Sequence, residues 1–288
     1  MNLKQQLLAI HLTQGIGMTT EARIIGAIND NLLPIIYPWP LDLILQITNH
    51  SYHDSIRATY VHALQRASNF KAHYITYYDQ IYPQRLREIF EPPLVLFYEG
   101  QLAALNLPSL SVVGTRSATA YGLKSLRQLL PPVIQSGAAI VSGLAQGIDV
   151  MAHQITFATS GVPIAVIGTG TDIAYPKRNA SLQKQIGQQG LIISEYAPGV
   201  GPQRSHFPAR NRIIAGLSSA TLVIEAKIKS GSLITANIAL QNNREVLSVP
   251  GSIFSEESQG TNELLSLGAK LVTKPQDIIE SIQILDII

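Results

Sequence analysis

The sequence predicts an α/β protein, a doubly wound parallel sheet preceded by a small helical domain, and three observations carry that reading. Six short runs rich in β-branched residues recur after residue 110. Helical windows of about ten to twenty residues separate them. The runs are apolar throughout rather than alternating, as strands are when helices cover both faces of their sheet.

In chain order, residues 1 to about 70 contain few β-branched runs and read as helical. Within them "LLAIHLTQGIGMTTEARIIGAI" (7–28) is two helical pieces around Gly15-Ile16-Gly17. A Gly-apolar-Gly turn between short helices is the helix-hairpin-helix pattern, whose backbone N–H groups can hold a DNA phosphate. Arg23 is the only Lys or Arg close to it, so a small helical packing domain is the expectation. Residues 71–109 form a connector rich in Tyr and Pro, where "YITYYDQIYP" and "PPLVLFYEG" can add strands to the main sheet. The Rossmann-like domain spans 110–288, with strands predicted at "LSVVGT" (110–115), "AAIVSG" (138–143), "PIAVIGTG" (163–170), "LIISE" (191–195), "ATLVIEA" (220–226) and "EVLSVPG" (245–251).

Composition narrows the function classes. A 288-residue chain that is 46% hydrophobic and 14% charged buries a substantial core. With no cysteine, it holds no disulfide and no thiolate metal site. The start "MNLKQQLLAIHLTQ" lacks a signal-peptide core and cleavage site, and the uncharged stretch from Gln128 to Ile148 is interrupted by Pro131-Pro132, Gln135 and glycines. The expectation is a cytoplasmic protein without membrane contact. Net charge is unevenly spread: −1 over residues 1–109, +6 over 110–215 and −3 over 216–288. So basic a middle segment in a nearly neutral chain points to an anionic partner.

In open α/β sheets, ligands bind beyond the carboxyl ends of the strands. Those ends read Gly114-Thr115-Arg116, Ser142-Gly143, Gly168-Thr169-Gly170, Ser194-Glu195, Glu225-Ala226 and Pro250-Gly251. Small residues there let a ligand approach the backbone. Arg116 follows the first strand, Lys177 and Arg178 follow the third, and Arg210 and Arg212 open the helix after the fourth. With Pro208 at the first helical position, the two arginines stand near the positive end of a helix dipole, a poor place for cations unless an anion fills it. Asn179 and Asn211 stand among these charges, and Tyr175 and Phe207 are candidates for stacking, although either ring serves equally well as core.

Motif tests exclude the commonest anions. "GTGTDI" has Ile173 where a dinucleotide-binding turn needs its third glycine, and "KSGSLITA" (229–236) carries P-loop residue types in the wrong order. What remains is a track of cations with aromatic faces, the description of a single-stranded nucleic-acid groove. No catalytic set stands out, and no metal or cofactor is expected. His153 falls four residues after Asp149, which predicts a helix-stabilising or capping contact rather than a dyad. Glu195 and Glu225, at strand ends, are expected to hydrogen-bond loop N–H groups.

The segments "GTRSATAYG" (114–122), "SGLAQGIDVMAH" (142–153), "GTGTDIAYPKRN" (168–179), "SEYAPG" (194–199), "FPARNRIIAGLS" (207–218), "VIEAKIKSGSLITA" (223–236), "VPG" (249–251) and "QGTNELLSLGAKLV" (259–272) together resemble the DprA/Smf family, in order and without large gaps. The helical N-terminal part is similar to that family's SAM-like domain. The resemblance implies a non-enzymatic protein that binds single-stranded DNA, forms a homodimer and helps load the RecA recombinase during natural transformation. It implies phosphate contacts from Arg116, Lys177, Arg210 and Arg212, beside backbone groups at Gly114, Thr115 and Gly143. Thr115 departs mildly from the serine common there. Many relatives carry a further winged-helix-like domain, which the end at Ile288 predicts is missing.

In "TNELLSLGAKLV" the leucines spread around most of a short helix, so one face of the sheet cannot bury them all. Leu265 and Leu271 are the expected surface for a second copy or for the recombinase. Two rival readings are a nucleotide hydrolase of the lysine-decarboxylase-like group and a structural adaptor for recombination proteins. The hydrolase signature P-G-G-x-G-T-x-x-E is broken here, because "SIFSEESQ" separates Pro250-Gly251 from Gly260-Thr261.

Overall fold

A computed structural model describes residues 1–49 and 54–285 of the chain. It opens with four helices, α1 (Leu3–Leu12), α2 (Met18–Asn29), α3 (Leu41–Thr48) and α4 (Asp54–Ser68). Strand β1 (Tyr74–Thr76), the short α5 (Gln84–Arg87) and β2 (Val95–Gly100) follow. Next come β3 (Ser109–Val113), α6 (Ala120–Gln135), β4 (Ala139–Ser142), α7 (Ile148–Ala158), β5 (Pro163–Ile167), α8 (Ala180–Gln189) and β6 (Leu191–Ser194). The chain then runs through α9 (His206–Leu217), β7 (Ala220–Val223), α10 (Gly231–Gln241), β8 (Glu245–Ser248), α11 (Glu256–Ser266), β9 (Lys270–Leu271) and α12 (Pro275–Leu285). The end of the last apolar segment, Asp286–Ile288, lies outside the described residues. Among the described residues no helix is long and apolar enough to cross a membrane.

All strands join one sheet in the order β1-β2-β6-β5-β4-β3-β7-β8-β9. The six strands predicted after residue 110 are its parallel centre, while β2 pairs antiparallel with both β1 and β6. Strand residues alternate between two cores, which is why the runs read as continuously apolar. Leu110, Val112 and Ile140 face α6, α7 and α12. Val113, Val141 and Val166 face α9 and α10. The chain steps from β3 through β4 and β5 to β6 in one direction, then crosses back to place β7 on the other side of β3. That reversal opens a crevice between the ends of β3 and β7.

The N-terminal helices pack on the sheet through a core of their own. Leu7, Leu8, Ile24, Ile44 and Trp39 share it with Val95 and Phe97 of β2 and with Ala197. Gly15, at φ +93°, turns the chain between α1 and α2, and Gly17 precedes the first residue of α2. Arg23 donates to the carbonyl of Thr48, so the one cation of the hairpin is tied into the helical layer.

Helix α9 begins at His206, two residues before the sequence places it, so Pro208 is its third residue. Arg210 and Arg212 therefore stand beyond the first turn, where the dipole has largely faded. The poor-dipole argument for an anion does not hold at these positions.

Candidate nucleic-acid interface

At the topological reversal lies an open groove of about 830 Å³. The β3–α6 loop supplies Gly114, Thr115 and Arg116, and the β7–α10 loop with the start of α10 supplies residues 227–232, Ile234 and Thr235. Helix α9 contributes Phe207, Arg210 and Asn211.

Each residue singled out from sequence has a definite place. Gly114 lets its loop lie on α7, since a Cβ there would stand 2.5 Å from Ile148. The N–H of Thr115 donates to the Glu225 carbonyl at 2.8 Å, and the Thr115 carbonyl accepts from Ile148. Arg116 is exposed on the groove wall. Lys177 is also exposed, in a single helical turn (Lys177–Asn179) two residues after Tyr175, which itself lines the groove.

Arg210 forms the floor rather than the rim. It is 6% exposed and donates through Nη1 to the carbonyls of Gly143 and Val166. Asp149 faces it, accepting the N–H groups of Gly143 at 3.2 Å and Ala145 at 3.3 Å. Burial pushes the Asp149 carboxyl up to about 6, against the pull of Arg210. Burial likewise lowers the Arg210 guanidinium to about 10. Gly143 makes room for that guanidinium, 2.4 Å from where a Cβ would sit, so its smallness serves Arg210 and not a ligand.

Four expectations need correction. Arg212 leaves α9 on the other side and forms a two-pronged ion pair with Glu195 at 2.6 and 2.9 Å, so it does not reach the groove. Asn179 is buried and donates to the Leu144 carbonyl at 2.9 Å, which ties two loops together. Asp149 contacts loop amides rather than His153. Burial and the nearby Arg210 charge drive the His153 imidazole down to about 3, so it stays neutral. Asn211 does reach the groove, where it accepts from Arg210 Nε at 3.2 Å. Glu195 binds Arg212 rather than a loop amide, whereas Glu225 accepts the N–H of Thr119 as expected.

Sequence reasoning missed Arg204, Lys227 and Lys229, all of which line the groove. Lys227 is held by Glu256 at 2.8 Å. Both lysines sit just past the basic segment, within the acidic final quarter of the chain, and the strand-end rule applied to β7 would have found them. Helix α10 also aims its N-terminus here. The N–H groups of Gly231 and Ser232 have no acceptor among the described residues, so they remain available to an anion. Tyr175 and Phe207 line the groove together, their rings 5.4 Å apart and tilted by 34°.

Comparison with known proteins agrees along most of the chain. The family model for DNA recombination-mediator protein A matches residues 73–283. The DNA processing protein DprA of Streptococcus pneumoniae is 48% identical over 201 residues, covering 70% of this chain and 71% of that protein. An X-ray structure of S. pneumoniae DprA superposes with a TM-score of 0.87 and 36% identity, over 97% of this chain and 98% of that one. The structure of DNA processing protein A from Helicobacter pylori, a protein with a single-stranded DNA binding mode, gives a TM-score of 0.67 and 31% identity, over 74% and 96%. With the fold, the strand-end groove and these matches in agreement, the chain belongs to the DNA recombination-mediator protein A family.

Proposed function

We propose that the groove binds single-stranded DNA without strict sequence preference. One observation carries the reading: Arg116, Arg204, Lys227 and Lys229 line a single groove together with the paired rings of Tyr175 and Phe207. Cations along a strand hold phosphates, and ring faces accept any base. The chain's likeness to DNA processing protein A from Helicobacter pylori, a protein with a single-stranded DNA binding mode, supports the same reading. The protein acts by binding rather than turnover, protecting the strand and, as a homodimer, helping to load the RecA recombinase on it during DNA uptake. Lys177 extends the phosphate track past Tyr175, while Arg210, Gly143 and Asn179 shape its floor and loops.

The test is fluorescence anisotropy of a labelled oligo-dT over a salt series, with wild type and the R116A/K177A variant. Two lost phosphate contacts should weaken binding and flatten the slope of log K against log salt by about 1.4, at roughly 0.7 per phosphate on single strands. Equal affinity and slope in both proteins would place the DNA elsewhere. Release of a base or phosphate from nucleoside monophosphates is expected only at background, and clear turnover would favour the hydrolase.

A further inference from the structure

Glu225 follows β7, is 1% exposed and is not part of the groove lining. Its carboxylate accepts the backbone N–H of Thr119 at 3.0 Å and the Thr119 hydroxyl at 2.5 Å. Its carbonyl oxygen accepts the N–H of Thr115. One buried residue thus fastens both ends of the loop 115–119, and Arg116 stands between the two attachment points. The Thr119 hydroxyl in turn accepts the N–H groups of Tyr121 and Gly122, capping α6. Gly122 keeps the carboxylate's seat open, since a Cβ there would lie 2.2 Å from it.

A carboxylate placed so close to a site for anions is electrostatically unfavourable. Coulomb's law alone says that removing it should tighten DNA binding. Its hydrogen bonds say the opposite, because without them the loop loses the attachment that fixes Arg116. The two effects differ in sign, so they can be separated.

We propose that Glu225 is a positioning residue for the anion-binding loop: its carboxylate does not touch the nucleic acid but holds Arg116 at the groove through Thr119, while the Thr115 attachment is made by its main chain and stays in place in any variant. This rests on the single-stranded DNA reading above.

The experiment is a double-mutant cycle in the full chain, read by oligo-dT anisotropy over a salt series with E225A, R116A and the double variant. E225A should weaken binding about tenfold, the worth of a well-placed charged contact, and flatten the salt slope toward that of R116A. In the R116A background it should cost less than about twofold, because the residue it positions is gone. T119V should reproduce the loss and T119S should restore wild-type affinity, which carries the test from the other partner if E225A does not fold. Hydrogen exchange across residues 114–122 should quicken in E225A and T119V.

Unchanged or tighter binding by E225A and T119V, with R116A still weakened, would overturn the positioning role and leave the DNA reading standing. Equal losses in both backgrounds would also overturn it, as general damage to the fold. Wild type without affinity for oligo-dT, or R116A indistinguishable from it, would end both readings.

Discussion

On an α-helix a step of two residues turns the side-chain direction by about 200°, and on α9 that step separates two jobs. Arg210 holds the groove floor through Gly143 and Val166, while Arg212 pairs with Glu195 and donates to the Glu91 carbonyl at 3.0 Å. In the sequence both were arginines near a helix start. Their difference is a matter of burial and facing, which an Arg-Asn-Arg string does not encode. R212A should therefore lower stability by about 3–5 kcal/mol, since Glu195 is left buried and unpaired. R116A should stay within about 0.5 kcal/mol of wild type. Urea unfolding of both variants checks the contrast, and a mild R212A would remove Arg212 from its structural role. Asp149 and His153 supply a second contrast. Asp149 has a folded pKa of about 6, above its ordinary 3.8, so its contribution to stability is lost as pH rises from about 4 to 6. His153 has a folded pKa of about 3, below its ordinary 6.5, so its contribution is lost as pH falls below 6.5. Between pH 6 and 4 the two oppose each other. H153Q keeps only the Asp149 effect, so its stability relative to wild type should rise by about 1 kcal/mol from pH 6 to pH 5. A difference that does not change with pH would contradict this.

At the scale of elements, the six central strands were legible because a fully covered strand writes itself as an unbroken apolar run. Their order in the sheet was not, since it depends on crossovers between runs that look alike. The start of α9 was misplaced because Pro fits any position in a first turn, where its missing N–H has no partner to lose. The leucines after α11 illustrate partial legibility. Surplus apolar residues were visible in the sequence, and the fold buries Leu264, half-buries Leu265 and leaves Leu267 and Leu271 exposed, with Leu271 on the edge strand β9. Leu267, expected on the helix, is its C-cap. An exposed leucine on a sheet edge is a natural seat for a second copy. If Leu265 and Leu271 form a two-fold contact, L271R should shift sedimentation from dimer to monomer and leave the affinity for a short oligo-dT unchanged. A variant that still sediments as wild type would exclude that contact.

At the scale of the whole molecule, the groove was legible as a place before its residues were. Strand ends and a basic middle segment pointed to the rim where the groove lies, and the topological reversal between β3 and β7 decided which ends converge. The basic segment ends at residue 215, so it leaves out Lys227 and Lys229, which the crossover to β7 brings to the crevice, and Arg204 lies in the loop before α9 rather than at a strand end. The seat of the N-terminal helices was likewise hidden. They share a core with β2, and β2 pairs in the sheet with β1 and β6.

That seat has a consequence for how the chain is made. His11 on α1 bonds through Nε2 to the carbonyl of Glu195, 184 positions later in the chain. A ribosome adding about 5–20 residues per second leaves roughly ten to forty seconds between the two. During that interval α1–α4 have left the exit tunnel with their docking surface unfinished, and Leu7, Leu8 and Trp39 cannot yet close against Phe97 in its final place. Helices made well before β6 are thus among the last elements to be locked in, and their apolar faces wait on a strand that is still to come.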